Sequence, residues 1–129
     1  MKAIETKLKG CFILEPQIYE DSRGYFFESF NQNRFCEAIG REVNFVQDNQ
    51  SFSKRGVIRA LHYQVGDHAQ AKLVRVLQGK VLDVAVDLRR GSGTFGQHVA
   101  LELSCENRKQ LFIPKGFAHG FAVLSDSAE

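Results

Sequence analysis

Short runs of β-branched and aromatic residues, broken every few positions by Gly, Asn, Asp or Pro, fill this chain almost from end to end: CFILEPQI, GYFFESF, VNFVQ, GVIRALHYQ, KLVRVLQ, KVLDVAVDL, QHVALEL, QLFI and GFAVL. That density and spacing favour an all-β sandwich or barrel. Alternation is clearest in Val81 to Arg89. There Leu82, Val84, Val86 and Leu88 fall on one face, expected to be core, and Asp83, Ala85, Asp87 and Arg89 on the other, expected to be wetter. Between Leu77 and Lys80, Gln78-Gly79 reads as a tight turn, since Gly supplies a positive φ, so the runs on either side are expected to be antiparallel neighbours. One short peripheral helix is expected, Asn33 to Ile39, with an Asn cap, Phe35, Ala38 and Ile39 on one side and Gly40 as the stop.

A chain of 129 residues, 43% hydrophobic and 25% charged, suits a single domain with its own core. The net charge of +2 is too small and too evenly scattered to attract nucleic acid or an anionic membrane. Neither partner is expected, and any anionic ligand must be held locally. The opening MKAIETKLKG has no apolar stretch long enough for a secretory signal, and no later run approaches the span of a bilayer, so a soluble cytoplasmic protein is expected. Cys11, Cys36 and Cys105 are odd in number and widely spaced. Buried free thiols fit them better than a disulfide framework or a zinc knuckle.

Chemistry concentrates in Arg55 to Lys72, RGVIRALHYQVGDHAQAK, which brings Arg59, His62 and Lys72 into one strand-turn-strand signal. An imidazole that moves a proton near neutral pH, beside two fixed cations, suits an enzyme acting next to a sugar ketone that carries a diphosphate. Taken singly, each residue has a plainer reading. His62 is then a packed or surface histidine, Lys72 a solvated charge at a strand start, and Arg59 a cross-strand salt-bridge partner of low energetic weight. His68 and His98 read as surface residues. Phe26, Phe27, Phe30 and Phe35 read as core, although Tyr25, Phe26 and Phe27 each offer a ring for base stacking. Arg59 and His62 have opposite parity, so a regular strand would turn them to opposite sides. A bulge, a strand end or a partner subunit has to resolve this.

Gly56 six residues before His62, and Pro114, Gly116 and His119 as P-x-G-x-x-H, resemble the paired signatures of the cupin fold. A metal-binding cupin has a second His two residues after the first and a Glu a few residues later. Here Gln64 fills that slot, no Glu lies between His62 and Arg89, and Lys72 would repel a cation, so no metal is expected. Longer stretches are more specific. DSRGYFFESF (Asp21 to Phe30), QDNQSFSKRGVIRALHYQ (Gln47 to Gln64), KLVRVLQGKVLDVAVDLR (Lys72 to Arg89) and IPKGFAHGFAVLSDSAE (Ile113 to Glu129) resemble, in order, the dTDP-4-dehydrorhamnose 3,5-epimerase family, metal-independent cupins of dTDP-L-rhamnose synthesis.

The resemblance implies a cupin jelly-roll barrel (double-stranded β-helix) over residues 1–129, one domain, with no cofactor and a homodimeric state. It implies an isomerase that inverts C3 and C5 of dTDP-4-dehydro-6-deoxy-D-glucose, the 4-ketone acidifying the protons on both carbons. His62 matches the family's base, and Lys72 a substrate contact suited to stabilising the enolate. His119 matches a contact to sugar or phosphate. Arg23, Glu28, Gln47, Asp48, Asn49 and Arg59 match the nucleotide and phosphate shell, where arginine bonds phosphate oxygens in pairs, and the segment from Arg23 to Glu28 is expected to act across a dimer. Ala60 stands where the family usually has Gly, and the family's further strands, with a catalytic Tyr and the acid that orients the histidine, have no counterpart up to Glu129. Open alternatives are a C3-only or C5-only epimerase, a sugar 3,4-ketoisomerase on the same fold, or a non-catalytic nucleotide-sugar-binding cupin.

Overall fold

A computed structural model describes all of residues 1–129. Strands and helix follow in the order β1 (Lys2–Glu5), β2 (Phe12–Glu15), β3 (Ile18–Asp21), β4 (Gly24–Phe27), α1 (Gln32–Ile39), β5 (Ser53–Lys54), β6 (Ile58–His62), β7 (Lys72–Arg75), β8 (Lys80–Asp87), β9 (His98–Ser104), β10 (Gln110–Ile113), β11 (Phe117–Val123) and β12 (Ser127–Ala128). Antiparallel pairing sorts them into two larger sheets, β1-β2-β10-β7 and β6-β11-β8-β9, and two small ribbons, β3/β4 and β5/β12. Side chains from both larger sheets meet in one apolar cluster that includes Leu111 and Ile113 of the first and Val81, Ala85, Phe117 and Val123 of the second. The result is the all-β jelly-roll barrel expected from the sequence. No helix is long and apolar enough to cross a membrane.

Register decides which residues line the interior. On β10, Leu111 pairs with Ile13 and Val74, and Ile113 pairs with Lys72, so these residues share the inward face. Phe112, paired with Phe12 and Leu73, points the other way and packs under α1. That helix carries the Asn cap expected, Asn31, whose side chain accepts from the Arg34 N–H at 3.1 Å, and it starts at Gln32, one residue before the expected Asn33. Asn31 holds the extended backbone that an N-cap needs, and Gly40 closes the helix at φ 69°. Phe35, Cys36 and Ile39 are buried against Leu14 and Phe112, which makes α1 the cover of a second apolar cluster.

Four expectations are corrected. The core face of β8 is Val81, Asp83, Ala85 and Asp87, all buried, while Leu82, Val84 and Val86 look outward. Hydropathy alternation pointed the wrong way because both aspartates are satisfied inside by His119 and Arg89. β7 and β8 are not neighbours either: the turn at Gly79 (φ 77°) carries the chain from one sheet to the other. The backbones of Leu77 and Gln78 bond Glu129 instead, and a Cβ on Gly79 would overlap the Ser127 carbonyl. The run VNFVQ forms no strand, since Phe45 joins the aromatic cluster of Phe30, Phe35 and Phe112 while Val46 is left exposed. Phe26 is 70% exposed and is not core, because it stands on the side of the β3/β4 ribbon away from the contacts that Glu20 and Tyr25 make with Arg108, and Phe30, at the rim of the aromatic cluster, is 40% exposed and not core either.

The fully buried Asp87 ends β8 and organises the loop after it. Its carboxylate accepts from the Arg89 guanidinium (2.9 and 2.8 Å), from the Ser92 and Thr94 hydroxyls (each 2.6 Å) and from the Arg89 main-chain N–H (3.0 Å). The Arg89 guanidinium beside Asp87 holds its carboxyl well below the usual carboxylate range. A folded-state pKa below the unfolded value gives stability that is complete above the ordinary aspartate range of about 4 and is lost as pH falls below it. Asp87→Asn is therefore expected to cost about 2–3 kcal/mol at pH 7, measured by urea denaturation. The gap to the wild type should narrow as pH is lowered from about 5 toward 2.

Candidate active site

The site begins with a defect in strand pairing. His119 of β11 pairs with His62 of β6, but Phe121 pairs with Arg59, so two residues on β11 span three on β6. The extra residue is a β-bulge at Ala60–Leu61, and it turns Arg59 and His62 to the same side, which removes the parity conflict seen in the sequence. Gly120 sits opposite the bulge. A Cβ there would lie 2.5 Å from the Ala60 Cβ, 2.7 Å from its Cα and 2.8 Å from the Arg59 carbonyl oxygen. The position of Gly120 is thus a steric requirement of the distorted strand, not of a turn.

On β11, Phe117, His119 and Phe121 pair with Asp87, Ala85 and Asp83 of β8, which places all six on the interior face. His119 reaches diagonally to Asp83: its Nε2 lies 2.9 and 3.0 Å from the two carboxylate oxygens. Asp83 has no solvent exposure, so the pair is fixed from beneath, and an Nε2–H that donates to the carboxylate leaves Nδ1 free as an acceptor. Asp83, expected only on the wetter face of its strand, is the buried partner that fixes His119. Its one visible signal was an acid inside an apolar strand, in register with an aromatic of the P-x-G-x-x-H strand.

Lys72 opens β7 in the facing sheet. Its pairing with Ile113 and its parity with Val74 turn it inward, toward the interior that His119 and Asp83 face from the other sheet. Burial pushes the Lys72 pKa down. Nearby in the core, burial pushes the Cys11 thiol up to about 11, so it is held as a neutral packing group. Among all residues no three His, Cys, Asp or Glu side chains converge as a metal-holding group.

By pairing and parity, His62, Arg59 and His119 are on one side of the β6-β11-β8-β9 sheet, His62 and Arg59 exposed on its edge strand, and Lys72 is on the facing side of the other sheet. The remaining expected residues lie elsewhere. Arg23 lies at the exposed tip of the β3/β4 ribbon, 2.6 Å from Asp21, and Glu28 is paired with Arg34 at 3.1 Å. Gln47, Asp48 and Asn49 are exposed on the irregular segment before β5, where the Gln47 amide donates to Asn49 at 3.0 Å.

Comparison with known proteins gives one consistent result. The sequence profile of the dTDP-4-dehydrorhamnose 3,5-epimerase family matches residues 5–129. The chain is 57% identical to the dTDP-4-dehydrorhamnose 3,5-epimerase of Shigella flexneri over 129 residues, all of this chain and 71% of the relative. It is 58% identical to that of Pseudomonas aeruginosa, again over all of this chain and 71% of the relative. Among solved structures, the dTDP-4-dehydrorhamnose 3,5-epimerase of Elizabethkingia anophelis superposes with a TM-score of 0.94 at 56% identity, covering 99% of this chain and 70% of that one. The dTDP-6-deoxy-D-glucose-3,5-epimerase of Legionella pneumophila, solved in complex with dTDP-4-keto-L-rhamnose, gives 0.94 at 55% identity, with coverages of 98% and 67%.

The bulge makes a sharp prediction. Gly120→Ala is expected to cost about 2–3 kcal/mol of stability, measured by urea denaturation, because relieving the overlap requires β6 to move. Ala60→Gly should leave most of that cost in place, since it removes only the methyl and not the Cα or the Arg59 carbonyl that the new Cβ also meets.

Proposed function

The chain belongs to the dTDP-4-dehydrorhamnose 3,5-epimerase family, and from that membership we propose that it inverts C3 and C5 of dTDP-4-dehydro-6-deoxy-D-glucose to give dTDP-4-dehydro-L-rhamnose, an isomerase step of dTDP-L-rhamnose biosynthesis. The observation that carries the reading for these particular residues is the strand register that turns His62, Arg59 and His119 to one side of their sheet and Lys72 toward that side from the other sheet. A base, a cation for an enolate oxygen, an anchored hydrogen-bonding imidazole and a phosphate-binding guanidinium are what such a reaction requires.

In this assignment His62 removes the proton α to the C4 ketone, and the electron pair left on carbon moves onto the ketone oxygen as an enolate. Lys72 lies beside that oxygen. Its desolvation favours a developing negative charge as partner, because an ammonium that has lost part of its water gains more from an anion than a fully hydrated one. A proton delivered to the opposite face of the carbon by Tyr25, Tyr63 or water restores the ketone with the centre inverted. His119, held by Asp83, offers Nδ1 to a sugar hydroxyl. Arg59 takes the diphosphate, and Arg23, Glu28, Gln47, Asp48 and Asn49 take the nucleotide.

The outward positions of Arg23 and Glu28 support a homodimer in which the β3/β4 ribbon serves the other copy's site. The outer face of the β6-β11-β8-β9 sheet supports the same state. Its Ile58, Ala122, Leu82, Val84 and Ala100 form an apolar strip, with Ile58 70% exposed. A cytoplasmic location fits the three free cysteines. Multi-angle light scattering at micromolar concentration should return twice the mass of one chain, and a stable monomer would contradict the dimer.

The chemical test is solvent exchange. In D2O, the hydrogens at C3 and C5 of the 4-keto sugar nucleotide should be replaced by deuterium in the presence of the protein, and His62→Asn should abolish this. Undiminished exchange in that variant would remove His62 from the reaction. A protein that binds dTDP-sugars yet exchanges nothing would be a binding module on the same fold.

A further inference from the structure

We infer that Ser53 is the positioning residue that aims the Arg59 guanidinium at the diphosphate. The inference rests on reading Arg59 as a phosphate contact and adds how that long side chain is held in place.

Arg59 lies on an edge strand of its sheet, and its side chain is exposed. An arginine in that setting spreads over many rotamers, so any affinity it supplies is reduced by the entropy of ordering it. Here it is already ordered. Its Nε–H donates to the Ser53 hydroxyl at 3.0 Å and its Nη2 donates to the Phe52 carbonyl at 3.5 Å. Both acceptors lie along one edge of the guanidinium. Of the five N–H donors an arginine carries, the remainder point away from that edge and are open to two phosphate oxygens.

The acceptor itself is rigid. Ser53 is only 5% exposed, and β5 is short but anchored, because Ser53 pairs with the buried Ala128 of β12. The acceptors are also neutral, which matters for an anion site. Arg23, Arg34, Arg55, Arg89 and Arg108 each sit against a carboxylate that cancels their charge. Arg59 is oriented by a hydroxyl and a carbonyl and keeps its full positive charge for the ligand. A serine serving only to close the β5/β12 ribbon would not need its hydroxyl under the Arg59 Nε.

The test is a double-mutant cycle in the full chain. KM and kcat are measured with dTDP-4-dehydro-6-deoxy-D-glucose, and dTDP affinity by titration calorimetry, for wild type, Ser53→Ala, Arg59→Ala and the double variant. Ser53→Ala should raise KM and the dTDP Kd by about fivefold while kcat stays within about twofold, since an interaction equal in ground and transition states moves KM alone. In the Arg59→Ala background, Ser53→Ala should have no further effect on either constant. Additive losses in the double variant, or a fall in kcat with KM unchanged, would assign Ser53 a merely structural role and overturn the inference. A silent Ser53→Ala beside a damaging Arg59→Ala would overturn it while leaving the phosphate reading intact. A silent Arg59→Ala would overturn both.

Discussion

A carboxylate without access to water must find its hydrogen-bond donors inside the protein, and on β8 two such groups, Asp83 and Asp87, stand on the same interior face. Their satisfaction shapes the molecule. Asp87 takes the Arg89 guanidinium and two hydroxyls and so folds the loop that follows β8, while Asp83 takes the His119 ring and so fixes that imidazole. The Arg89 guanidinium also lies 4.7 Å from the centre of the Phe117 ring, which ties the closing loop back to β11. One strand thus carries a structural acid near its end and a site acid at its middle. Both face inward among Val81 and Ala85, so the core and the site of this barrel are continuous and not separate layers.

This continuity explains which parts of the fold could be read from the sequence and which could not. Strand existence was legible, because β-branched and aromatic runs between turn residues report local backbone preference: β6, β7, β8 and β10 fall inside the runs that predict them, β9 ends one residue past its run and β11 begins three residues before its run. Strand pairing was less so. Gly79 has the positive φ expected of a tight turn, yet the chain crosses between sheets there, because the segment ending at Glu129 supplies the hydrogen bonds that a hairpin partner would have made. The facing of β8 was inverted, since alternation counts an aspartate as a solvent residue and cannot see that His119 or Arg89 will meet it. The same ignorance of partners made VNFVQ look like a strand and left Asp83 without a role.

The site was legible in a different sense. The spacing of Arg59, His62, Lys72 and His119 matched a family pattern, but nothing local said how opposite parity on β6 would be reconciled. The reconciliation lies in a residue outside that segment. Gly120 lets β6 bulge against β11, so His62 and Arg59 face the same side, and the fit is close enough that the Ala60 methyl already occupies the space a second side chain would need. The nucleotide-shell residues were read from the same pattern, yet Arg23, Glu28 and Gln47 to Asn49 lie on the ribbon and on the irregular segment before β5. Those elements report their function only once a second chain or a ligand is considered.

The division between interior and exterior residues has a mechanistic consequence for how binding and chemistry are separated. The residues proposed to act in the chemistry, His62 and Lys72, come from sheet strands, where pairing restricts their backbones, and Lys72 is in addition partly buried. The residues proposed to recognise the nucleotide lie on short or irregular elements, where adjustment costs less. Arg59 stands at the boundary, on an edge strand of the barrel but oriented by Ser53 of the small β5/β12 ribbon. The geometry of one strand defect therefore sets the relative facing of Arg59 and His62, the residues proposed to hold the diphosphate and to take the proton.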